Sequence, residues 1–273
     1  MAQSPIDGGV VLLTGASSGI GLEFARQVAG RARKLIVVAR RVEKLEELKN
    51  DLVSLHPKLE VQVEKCDLSD LVATRALAAK VLAEAEVDVL INNAGIGDMG
   101  VFERANVERL VSMIDLNVTS LVLLTHAFVG PMVARGRGGI LNVSSGAGMS
   151  YMPGFAVYTG TKHFVTGFTE TLSVDLAGTG VHVTQLCPGP VPTEFEKTAG
   201  NFTGQSPPKL IEVTAAHCAR VALRALDANR AMVIPGVIIN LLLLMSKYTP
   251  RWLVRALARP VGKALRKKQL ATT

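Results

Sequence analysis

Short apolar runs alternate with amphipathic segments along almost the whole of this 273-residue chain. The runs are rich in β-branched residues, as in strands buried on both faces, and the segments between them repeat apolar residues at helical spacing. Because parallel strands need long crossover connections, this alternation predicts a parallel sheet with helices on both faces. The predicted strands are Val10–Thr14, Lys34–Ala39, Val61–Lys65, Val87–Ile91, Gly139–Val143, Val181–Cys187 and Ala231–Pro235.

The chain has no internal repeat and no low-complexity linker before about residue 236. We therefore expect residues 1–236 to form one α/β domain around a doubly wound, seven-stranded parallel sheet. The stretch 189–214 is too rich in proline and glycine for one long helix, and it predicts a lid over the carboxyl edge of the sheet. Residues 237–273 are expected to form a helical C-terminal extension.

Hydrophobic residues make up 48% of the chain and charged residues 19%, which is typical of a globular protein rather than a disordered one. The three cysteines, Cys66, Cys187 and Cys218, are widely spaced and predict neither a disulfide framework nor a zinc site. The N-terminus lacks the basic and apolar regions of a signal peptide. These features favour a cytoplasmic protein.

The net charge of +7 is concentrated at one end of the chain. Eight basic residues and no acidic residue follow position 230, so residues 1–230 carry 22 basic against 23 acidic side chains. This distribution argues against a nucleic-acid-binding domain with charge spread over one face, and no nucleic-acid partner is expected. The eight are Lys247, Arg251, Arg255, Arg259, Lys263, Arg266, Lys267 and Lys268.

The extension begins with the apolar run Val237–Met245, which is far shorter than the ~20 residues that a membrane-spanning helix needs. The basic residues after it recur at four-residue spacing near Trp252, and Pro250 and Pro260 are expected to divide this part into short helices. Two interpretations stay open. The extension packs on the lid or on another subunit, or it makes peripheral contact with a membrane surface.

A glycine-rich turn follows the first predicted strand directly and leads into a helical stretch. Glycines at such a turn permit positive φ angles and let backbone amides approach a pyrophosphate at the helix N-terminus. The spacing G-x-x-x-G-x-G differs from the commonest dinucleotide fingerprint, yet its place after the first strand predicts dinucleotide binding. The candidate cofactor-binding residues are Gly15, Ser17, Ser18, Gly19, Ile20 and Gly21.

The end of the second strand predicts which dinucleotide is bound. Where an acidic residue would bond the ribose hydroxyl of NAD, this chain has Ala39 followed by Arg40 and Arg41. A guanidinium suits the 2′-phosphate of NADP, so we favour NADP over NAD, with Arg40 as the phosphate contact and the other arginine solvated. Asp67, after the third strand, is placed either to accept from the adenine amino group or to cap the helix that begins near Ser69.

Tyr158 and Lys162 are four residues apart, so on a helix they share one face. A phenol ordinarily titrates near pH ~10, and a neighbouring ammonium favours the phenolate. The pair is therefore a candidate proton donor and acceptor for alcohol and carbonyl chemistry. Alone it is a weak signal, because most such pairs merely lie on the surface of a helix.

In combination, these motifs resemble those of the short-chain dehydrogenase/reductase family, in its single-domain branch of roughly 250 residues. The match runs from Val10 to about Pro235, and it looks like the branch that includes hydroxysteroid dehydrogenases and DltE-like bacterial oxidoreductases. The resemblance implies a Rossmann-type sheet. The matching motifs are TGASSGIG (14–21), NNAG (92–95), DLNVTS (115–120), NVSSGAG (142–148), YTGTK (158–162) and PGPVPT (188–193).

The resemblance implies a role for each catalytic position. Tyr158 would act as general acid in carbonyl reduction and as base in alcohol oxidation, with Lys162 lowering its pKa and holding the nicotinamide ribose. Ser145, thirteen residues before Tyr158, is chosen over Ser144 as the hydrogen-bond partner of the substrate oxygen. Asn117, inside a helix, would hold a water that joins Lys162 to bulk solvent.

The resemblance also adds cofactor contacts outside the glycine-rich turn. Asn92, Ala94 and Gly95 would line the adenosine side of the dinucleotide and stabilise the sheet. The cofactor would be NADP, with NADPH preferred over NADH, and no metal is required. The segment after the sixth strand would close over the nicotinamide, with Thr193 bonding its carboxamide. The residues of that segment are Pro188, Gly189, Val191 and Thr193.

The segments that form the substrate pocket in this family are nearly free of charge here. The lining candidates are Ile96, Met99, Ala147, Met149, Met152, Pro153, Phe155, Pro190, Val191 and Phe195. Such linings favour hydrophobic ligands, so we expect an NADPH-dependent carbonyl reductase or alcohol dehydrogenase acting on a lipid-, steroid- or aromatic-like compound. Two alternatives remain: a dedicated 3-oxoacyl or other lipid-pathway reductase, and a non-catalytic NADP-sensing protein. The resemblance further implies a homodimer or homotetramer through the helices that carry Asn117 and Tyr158.

Overall fold

The computed structural model describes residues 4–200 and 208–271, and in them seven parallel strands form one sheet. The strands are β1 (Val10–Thr14), β2 (Lys34–Ala39), β3 (Glu60–Lys65), β4 (Val89–Asn92), β5 (Gly138–Val143), β6 (Val181–Leu186) and β7 (Met232–Val233). Their order across the sheet is β3-β2-β1-β4-β5-β6-β7. Because the order reverses between β1 and β4, the sheet is doubly wound and of the Rossmann type, which confirms the predicted fold class.

Helices connect the strands and cover both faces of the sheet. The α-helices of the described residues are α1 (Gly19–Val28), α2 (Val42–Leu55), α3 (Leu71–Glu84), α4 (Val107–Ile114), α5 (Ser120–Ala134), α6 (Ala156–Asp175), α7 (Phe195–Thr198), α8 (Ala215–Asp227), α9 (Val237–Tyr248) and α10 (Arg251–Ala271). Single 3-10 turns lie at Phe102–Arg104, Gly146–Gly148 and Lys209–Ile211.

The bounds of the predicted strands agree with the structure to within a few residues. β1 and β2 have the predicted ends, and β3, β5 and β6 each differ by one residue at one end. β4 begins two residues later than predicted, after Asp88, whose carboxylate accepts a hydrogen bond from the Val10 amide at 2.8 Å. β7 is cut to two residues near Pro235, which has no amide hydrogen to donate to a ladder.

Two apolar layers bury the sheet. Side chains alternate along each strand, so Val11 and Leu13 pack toward α1, α2 and α8, whereas Val10 and Leu12 pack toward α3, α5 and α6. All four residues are fully buried. The double burial explains why the strands read as unbroken apolar runs, and it fixes the carboxyl ends of the strands against one another.

The predicted lid lies partly outside the described residues, at positions 201–207. Its described parts are irregular, as predicted: they hold the four-residue helix α7 and the 3-10 turn at Lys209–Ile211.

A π-helical turn at Asp115–Thr119 joins α4 and α5 into one continuous helical run. By length and composition this run of 28 residues is apolar enough to cross a membrane. Leu124 and Phe128, however, are buried against the sheet, so the run is a core helix. Asn117 lies inside this helical run, as expected, and within it occupies the π-turn rather than a regular α-helical turn. Such turns are frequent at functional sites.

The C-terminal extension folds as two helices. α9 follows Gly236 and ends before Pro250, as predicted. The expectation that Pro260 also ends a helix is wrong, because α10 continues through it. A proline inside a helix removes one backbone hydrogen bond, and here contacts with the body help to hold the helix: Gln269 Oε1, for example, accepts from the Val101 amide at 2.7 Å.

Both helices of the extension pack on loops of the body, as one of the two interpretations requires. Leu243 of α9 is 6% exposed and lies against Gly146. Leu265 of α10 lies against Gly154. The extension therefore borders the segment that follows β5.

Two glycine-to-alanine substitutions should change stability in opposite directions. Gly160 lies within α6 with open space where a Cβ would point, so Gly160→Ala should raise the free energy of unfolding by about 1 kcal/mol. A Cβ on Gly21 would collide with the Gly15 carbonyl oxygen, so Gly21→Ala should lower it by about 2 kcal/mol. Chemical denaturation measures both changes. Changes of the same sign would contradict the packing described for the two sites.

Candidate active site

The carboxyl ends of four neighbouring strands bring the predicted site segments to one edge of the sheet. The glycine-rich turn follows β1, the NNAG loop follows β4, the two serines follow β5, and the lid follows β6. Lys162 reaches the same edge from α6, since its side chain bonds to the last residue of β5. Doubly wound sheets bind their ligands at this edge, where the strand order reverses.

The glycine-rich turn has backbone geometry that excludes side chains. Gly15 and Gly19 have φ angles of +69° and +59°, which other residues rarely adopt. A Cβ on Gly15 would lie 2.8 Å from the Ala94 Cα. Ser18 precedes α1, and its side chain makes no capping bond to the helix. The turn therefore leaves the first amides of α1 available to an anion, and its residues fit the pyrophosphate of a dinucleotide.

Thr14 and Asn93, which the sequence analysis does not single out, hold this turn in place. Thr14 Oγ1 accepts from the amides of Asn93 and Ala94 at 3.0 and 3.1 Å. The Asn93 side-chain amide donates to the carbonyls of Thr14 and Gly15 at 3.0 and 3.1 Å. Both residues lie inside the TGASSGIG and NNAG motifs, which is the signal that could have identified them.

Arg40 and Arg41 lie at the outer end of the turn and have different partners. Arg40 lies 3.6 Å from a carboxylate oxygen of Asp67. Arg41 donates to Ser17 Oγ at 3.1 Å and to Glu194 at 2.9 Å. The expectation that one arginine is merely solvated does not fit this arrangement. Arg41 rather than Arg40 contacts the glycine-rich turn, through Ser17.

Asp67 does not cap α3. Its carboxylate accepts from the amide and the hydroxyl of Ser69 at 3.0 and 2.7 Å, whereas Asp70 caps the helix through two amides of the first turn. Burial raises the pKa of Asp67, but the Ser69 hydrogen bonds and the charge of Arg40 outweigh it, so the pKa lies below its ordinary value. An ionised acceptor therefore lies beside Arg40 at this edge.

Tyr158 lies in an apolar cluster beside the sheet edge. The rings of Phe155 and Phe195 lie 5.8 and 5.3 Å from its ring, and 8% of the residue is exposed. Burial raises the pKa of Tyr158 to about 12, and a hydrogen bond with Ser145 opposes the rise. The sequence analysis expects the neighbouring ammonium to favour the phenolate. The opposite direction prevails here, because removal from water disfavours the anion.

Lys162 is buried beside Tyr158. Its Nζ donates to the Val143 carbonyl at 2.8 Å and lies 5.9 Å from the centre of the Tyr158 ring. Burial lowers the pKa of Lys162 to about 8. This side chain can therefore gain or lose a proton near neutral pH.

The Asn117 side chain joins the loop after β4 to α6. It accepts from the Ile96 amide at 3.0 Å, and it donates to the Ile96 carbonyl at 2.9 Å and to Thr161 Oγ1 at 3.1 Å. A Cβ on Gly95 would lie 3.2 Å from Asn117 Oδ1 and 3.5 Å from Lys162 Nζ. Asn117 and Thr161, the second of which the sequence analysis misses, thus position the backbone around Lys162.

Ser144 and Ser145 have different surroundings. Ser144 is 2% exposed and bonds to the Lys162 carbonyl at 3.1 Å and to Thr166 Oγ1 at 2.7 Å. Ser145 Oγ accepts from the Ala147 amide at 3.1 Å, and the same side chain lies close enough to Tyr158 to lower the pKa of its phenol. Of the two hydroxyls, the one of Ser145 faces the tyrosine.

Asn92 lies inside the fold. It is 4% exposed, and its side-chain amide donates to Thr125 Oγ1 at 3.0 Å and to Asn142 Oδ1 at 2.9 Å. These bonds join β4 to β5 and α5. The position fits the expected stabilisation of the sheet, but it does not fit an adenosine contact of this side chain, because the amide faces the interior.

The segment after β6 crosses the site. The Pro188 carbonyl accepts from the Gly146 amide at 2.8 Å, and Gly189 packs against Ile239 of α9. Val191 packs on the apolar layer that carries α1. This part of the chain is therefore held between the loop after β5 and the C-terminal extension.

The described part of the predicted lid covers both halves of the site. Thr193 covers the glycine-rich turn, with its Cγ2 3.2 Å from where a Cβ on Gly19 would lie. Phe195, the first residue of α7, covers the tyrosine. The far end of α7 is tied to α4, because Arg109 donates to the Thr198 carbonyl.

Comparisons with known proteins agree with this geometry. A family model described as short chain dehydrogenase matches residues 9–203. The NADP-dependent 3-hydroxy acid dehydrogenase of Schizosaccharomyces pombe is 36% identical over 251 residues, which are 87% of this chain and 94% of that protein. A short-chain dehydrogenase from Sphingobium yanoikuyae in complex with NADPH has a TM-score of 0.78 at 28% identity, covering 89% of this chain and 97% of that one. The bulky-bulky ketone specific alcohol dehydrogenase from Comamonas testosteroni has a TM-score of 0.74 at 25% identity, covering 94% of each chain.

The family match extends over well more than half of the chain and includes the glycine-rich turn, the NNAG loop, both serines and the Tyr158–Lys162 pair. The relative from S. pombe is 36% identical and aligns with 87% of the chain. The chain therefore belongs to the short-chain dehydrogenase/reductase family.

Proposed function

We propose that this dehydrogenase uses NADPH to reduce the carbonyl group of a hydrophobic ketone, and NADP to oxidise the corresponding alcohol. The observation that carries the proposal is the burial of Tyr158 and Lys162 side by side, with Ser145 at the tyrosine, next to a glycine-rich turn that excludes side chains. Reduction of a carbonyl group by hydride needs a hydrogen-bond donor to the oxygen, a proton donor and a bound nucleotide. These groups together supply such sites, which favours catalysis over a non-catalytic sensing role.

When bound, NADPH supplies the hydride, and the residues of the chain manage the oxygen atom and its proton. Ser145 donates a hydrogen bond to the carbonyl oxygen, where negative charge develops. Tyr158 donates its proton to that oxygen, and its raised pKa keeps it protonated, and so ready to act as an acid, at neutral pH. Lys162, with its pKa lowered to about 8, is the group that can return a proton toward the tyrosine.

The cofactor assignment rests on the two arginines after β2 and on the relatives. A guanidinium pair at the end of this strand suits the dianionic 2′-phosphate. The S. pombe relative is named as NADP-dependent, and the neighbour from S. yanoikuyae binds NADPH. We assign the phosphate contact to both arginines, with Arg41 reaching it from Ser17.

The substrate is proposed to be apolar and bulky. The cluster around Tyr158 contains Leu110, Met113 and Ala147, with Ile96 and Phe155 packed against it. Apolar surroundings of this kind select hydrophobic ligands. The Comamonas testosteroni neighbour is specific for bulky ketones, which is the same class. For such a substrate to reach the tyrosine, the closed lid has to move.

A dedicated reductase of 3-oxoacyl compounds is the second candidate. A 3-hydroxy acid is the reduced form of a 3-oxo acid, and the S. pombe relative is named for 3-hydroxy acids. A free carboxylate would call for a cation at the pocket. Arg109, a basic residue that contacts the lid at the Thr198 carbonyl, is instead bonded to Asp98 at 2.6 Å. We therefore favour a neutral ketone or an acyl thioester over a free acid.

Assembly and location are also proposals. Val133 of α5 and Phe164 and Val174 of α6 are large apolar residues that lie exposed, and a homodimer or homotetramer through these helices would cover them. The sequence favours a cytosolic enzyme, and its cationic end favours peripheral contact with a membrane surface.

Tyr158→Phe should abolish turnover without abolishing cofactor binding. Loss of the proton donor is expected to lower kcat about a thousandfold or more, because the developing alkoxide then has no acid within reach. NADPH oxidation is followed with ketones of increasing apolar size, and NADPH affinity is followed by its fluorescence. Ser144→Ala serves as a matched control, since it removes a hydroxyl next to the site but not at the tyrosine. Full activity of Tyr158→Phe would contradict the proposed role.

Arg40→Ala and Arg41→Ala should separate NADPH from NADH. Each is expected to raise the Kd for NADPH about tenfold, as for loss of a charge-assisted hydrogen bond, and to leave the Kd for NADH nearly unchanged. Fluorescence titration of both cofactors measures the two constants. Arg75→Ala, an exposed arginine of α3, is the control. Equal losses for NADH and NADPH would show that the arginines do not read the 2′-phosphate.

A further inference from the structure

We infer that the C-terminal helices α9 and α10 form a docking surface for an anionic lipid bilayer. We further infer that docking through these helices places the substrate site close to the lipid. The docking surface is argued from the residues of α9 and α10 alone. Delivery of an apolar ketone from the lipid to the site rests on the proposed function.

α9 carries apolar residues on two opposite faces. Ile239 and Leu243 face the body, where they pack against Gly189 and Gly146. A second apolar stripe lies on the far side of the helix and is exposed to solvent. It consists of Val237, Leu241, Leu244, Met245 and Tyr248, which are 86%, 58%, 47%, 59% and 76% exposed.

The positions 237, 241, 244, 245 and 248 follow the spacing of one helix face. A helix that only caps its own domain needs one apolar face. The outer stripe of α9 is therefore in excess of what the fold of this chain requires, and continuous exposed apolar surface of this kind marks an interaction site.

α10 adds charge to this surface. One of its faces packs on the body through Leu265 and Gln269. Beside that face lies a band of exposed basic residues. They are Arg251, Arg255, Arg259, Lys263 and Arg266, of which Arg266 also pairs with Glu103 at 2.6 Å. Trp252, Leu257 and Val261 are exposed on the same helix, at 66%, 68% and 52%.

Charge selects among the possible occupants of this surface. From residue 231 onward the chain has eight basic residues and no acid, so two copies meeting through this segment would bring like charges together. An anionic bilayer offers negative headgroups for the arginines and lysines and an apolar layer for the exposed stripe of α9. Trp252, in the first turn of α10, is 66% exposed and is of a residue type enriched at membrane interfaces.

The same two helices border the substrate site. The inner side of α9 touches the loop after β5, and the inner side of α10 touches Pro153 and Gly154 at the start of α6. Docking the outer side on a bilayer would therefore bring the lid and its apolar surroundings close to the lipid. A hydrophobic ketone dissolved in the membrane could then enter without crossing bulk water.

The single tryptophan of the chain, Trp252, is a built-in reporter of docking. Full-length protein is mixed with vesicles of phosphatidylcholine alone or with phosphatidylglycerol added, and binding is followed by co-sedimentation and by the emission of Trp252. We expect binding and a blue-shifted emission with phosphatidylglycerol, weakened by salt, and little binding to phosphatidylcholine.

Two triple variants test the two components of the surface. Each triple variant should weaken binding to anionic vesicles at least about tenfold. The apolar variant is Leu241→Ser with Leu244→Ser and Met245→Ser, and the basic variant is Arg255→Gln with Arg259→Gln and Lys263→Gln. The matched controls change exposed residues of the body. They are Leu55→Ser with Val72→Ser and Leu82→Ser, and Lys58→Gln with Arg75→Gln and Arg230→Gln.

The controls should bind like the unchanged protein, and thermal unfolding identifies any variant that fails to fold. Three results would overturn the inference: no binding to anionic vesicles, equal loss in the body controls, or a lipid-free dimer that the α9 variant dissociates. Without vesicles, the tail variants and the unchanged protein should reduce a small water-soluble ketone at the same rate. If none of these proteins reduces the ketone, that result counts against the proposed reductase function but leaves the docking result intact.

Discussion

A buried ammonium is the constraint around which this site is built. Lys162 is 5% exposed, and the Val143 carbonyl accepts from its Nζ at 2.8 Å. A charge in such a place is costly unless polar groups surround it. Asn117 and Thr161 fix the backbone on either side, and Gly95 leaves the space that a side chain would fill. The parallel sheet matters to function because it holds the ends of β4 and β5 in register around this lysine.

The same burial sets the proton affinities of the pair in the closed site. It lowers the pKa of Lys162 to about 8 and raises that of Tyr158 to about 12, so the neutral tyrosine is the favoured form. Phe195 contributes to this state, because it lies on the tyrosine ring and belongs to the lid. We therefore propose that substrate reaches the tyrosine only when this segment moves. Its movement would also admit water, which favours the charged forms that the closed site disfavours.

Much of this molecule could be predicted from its sequence, and the misses have physical reasons. Strand ends were predictable because β-branched runs stop at glycines, prolines and polar residues. The π-turn at Asn117 was not, since one inserted residue leaves the apolar spacing nearly intact. Pro260 was expected to end a helix, but tertiary contacts of α10 help to hold it together. The contacts of Arg41 with Ser17 and Glu194 are not predictable from local sequence, because they join segments far apart along the chain.

The most direct measurement is the pKa of Tyr158 itself, with and without NADP. The chain has three tyrosines, so labelling the phenol carbons with 13C gives three NMR signals that single substitutions can assign. We expect the signal of Tyr158 to titrate near pH 12 in the free protein and at least about two units lower with NADP bound, because the positive charge of the oxidised nicotinamide ring would stabilise the phenolate. A pKa that stays near 12 with NADP bound would contradict the role of Tyr158 as the base that accepts a proton from the alcohol.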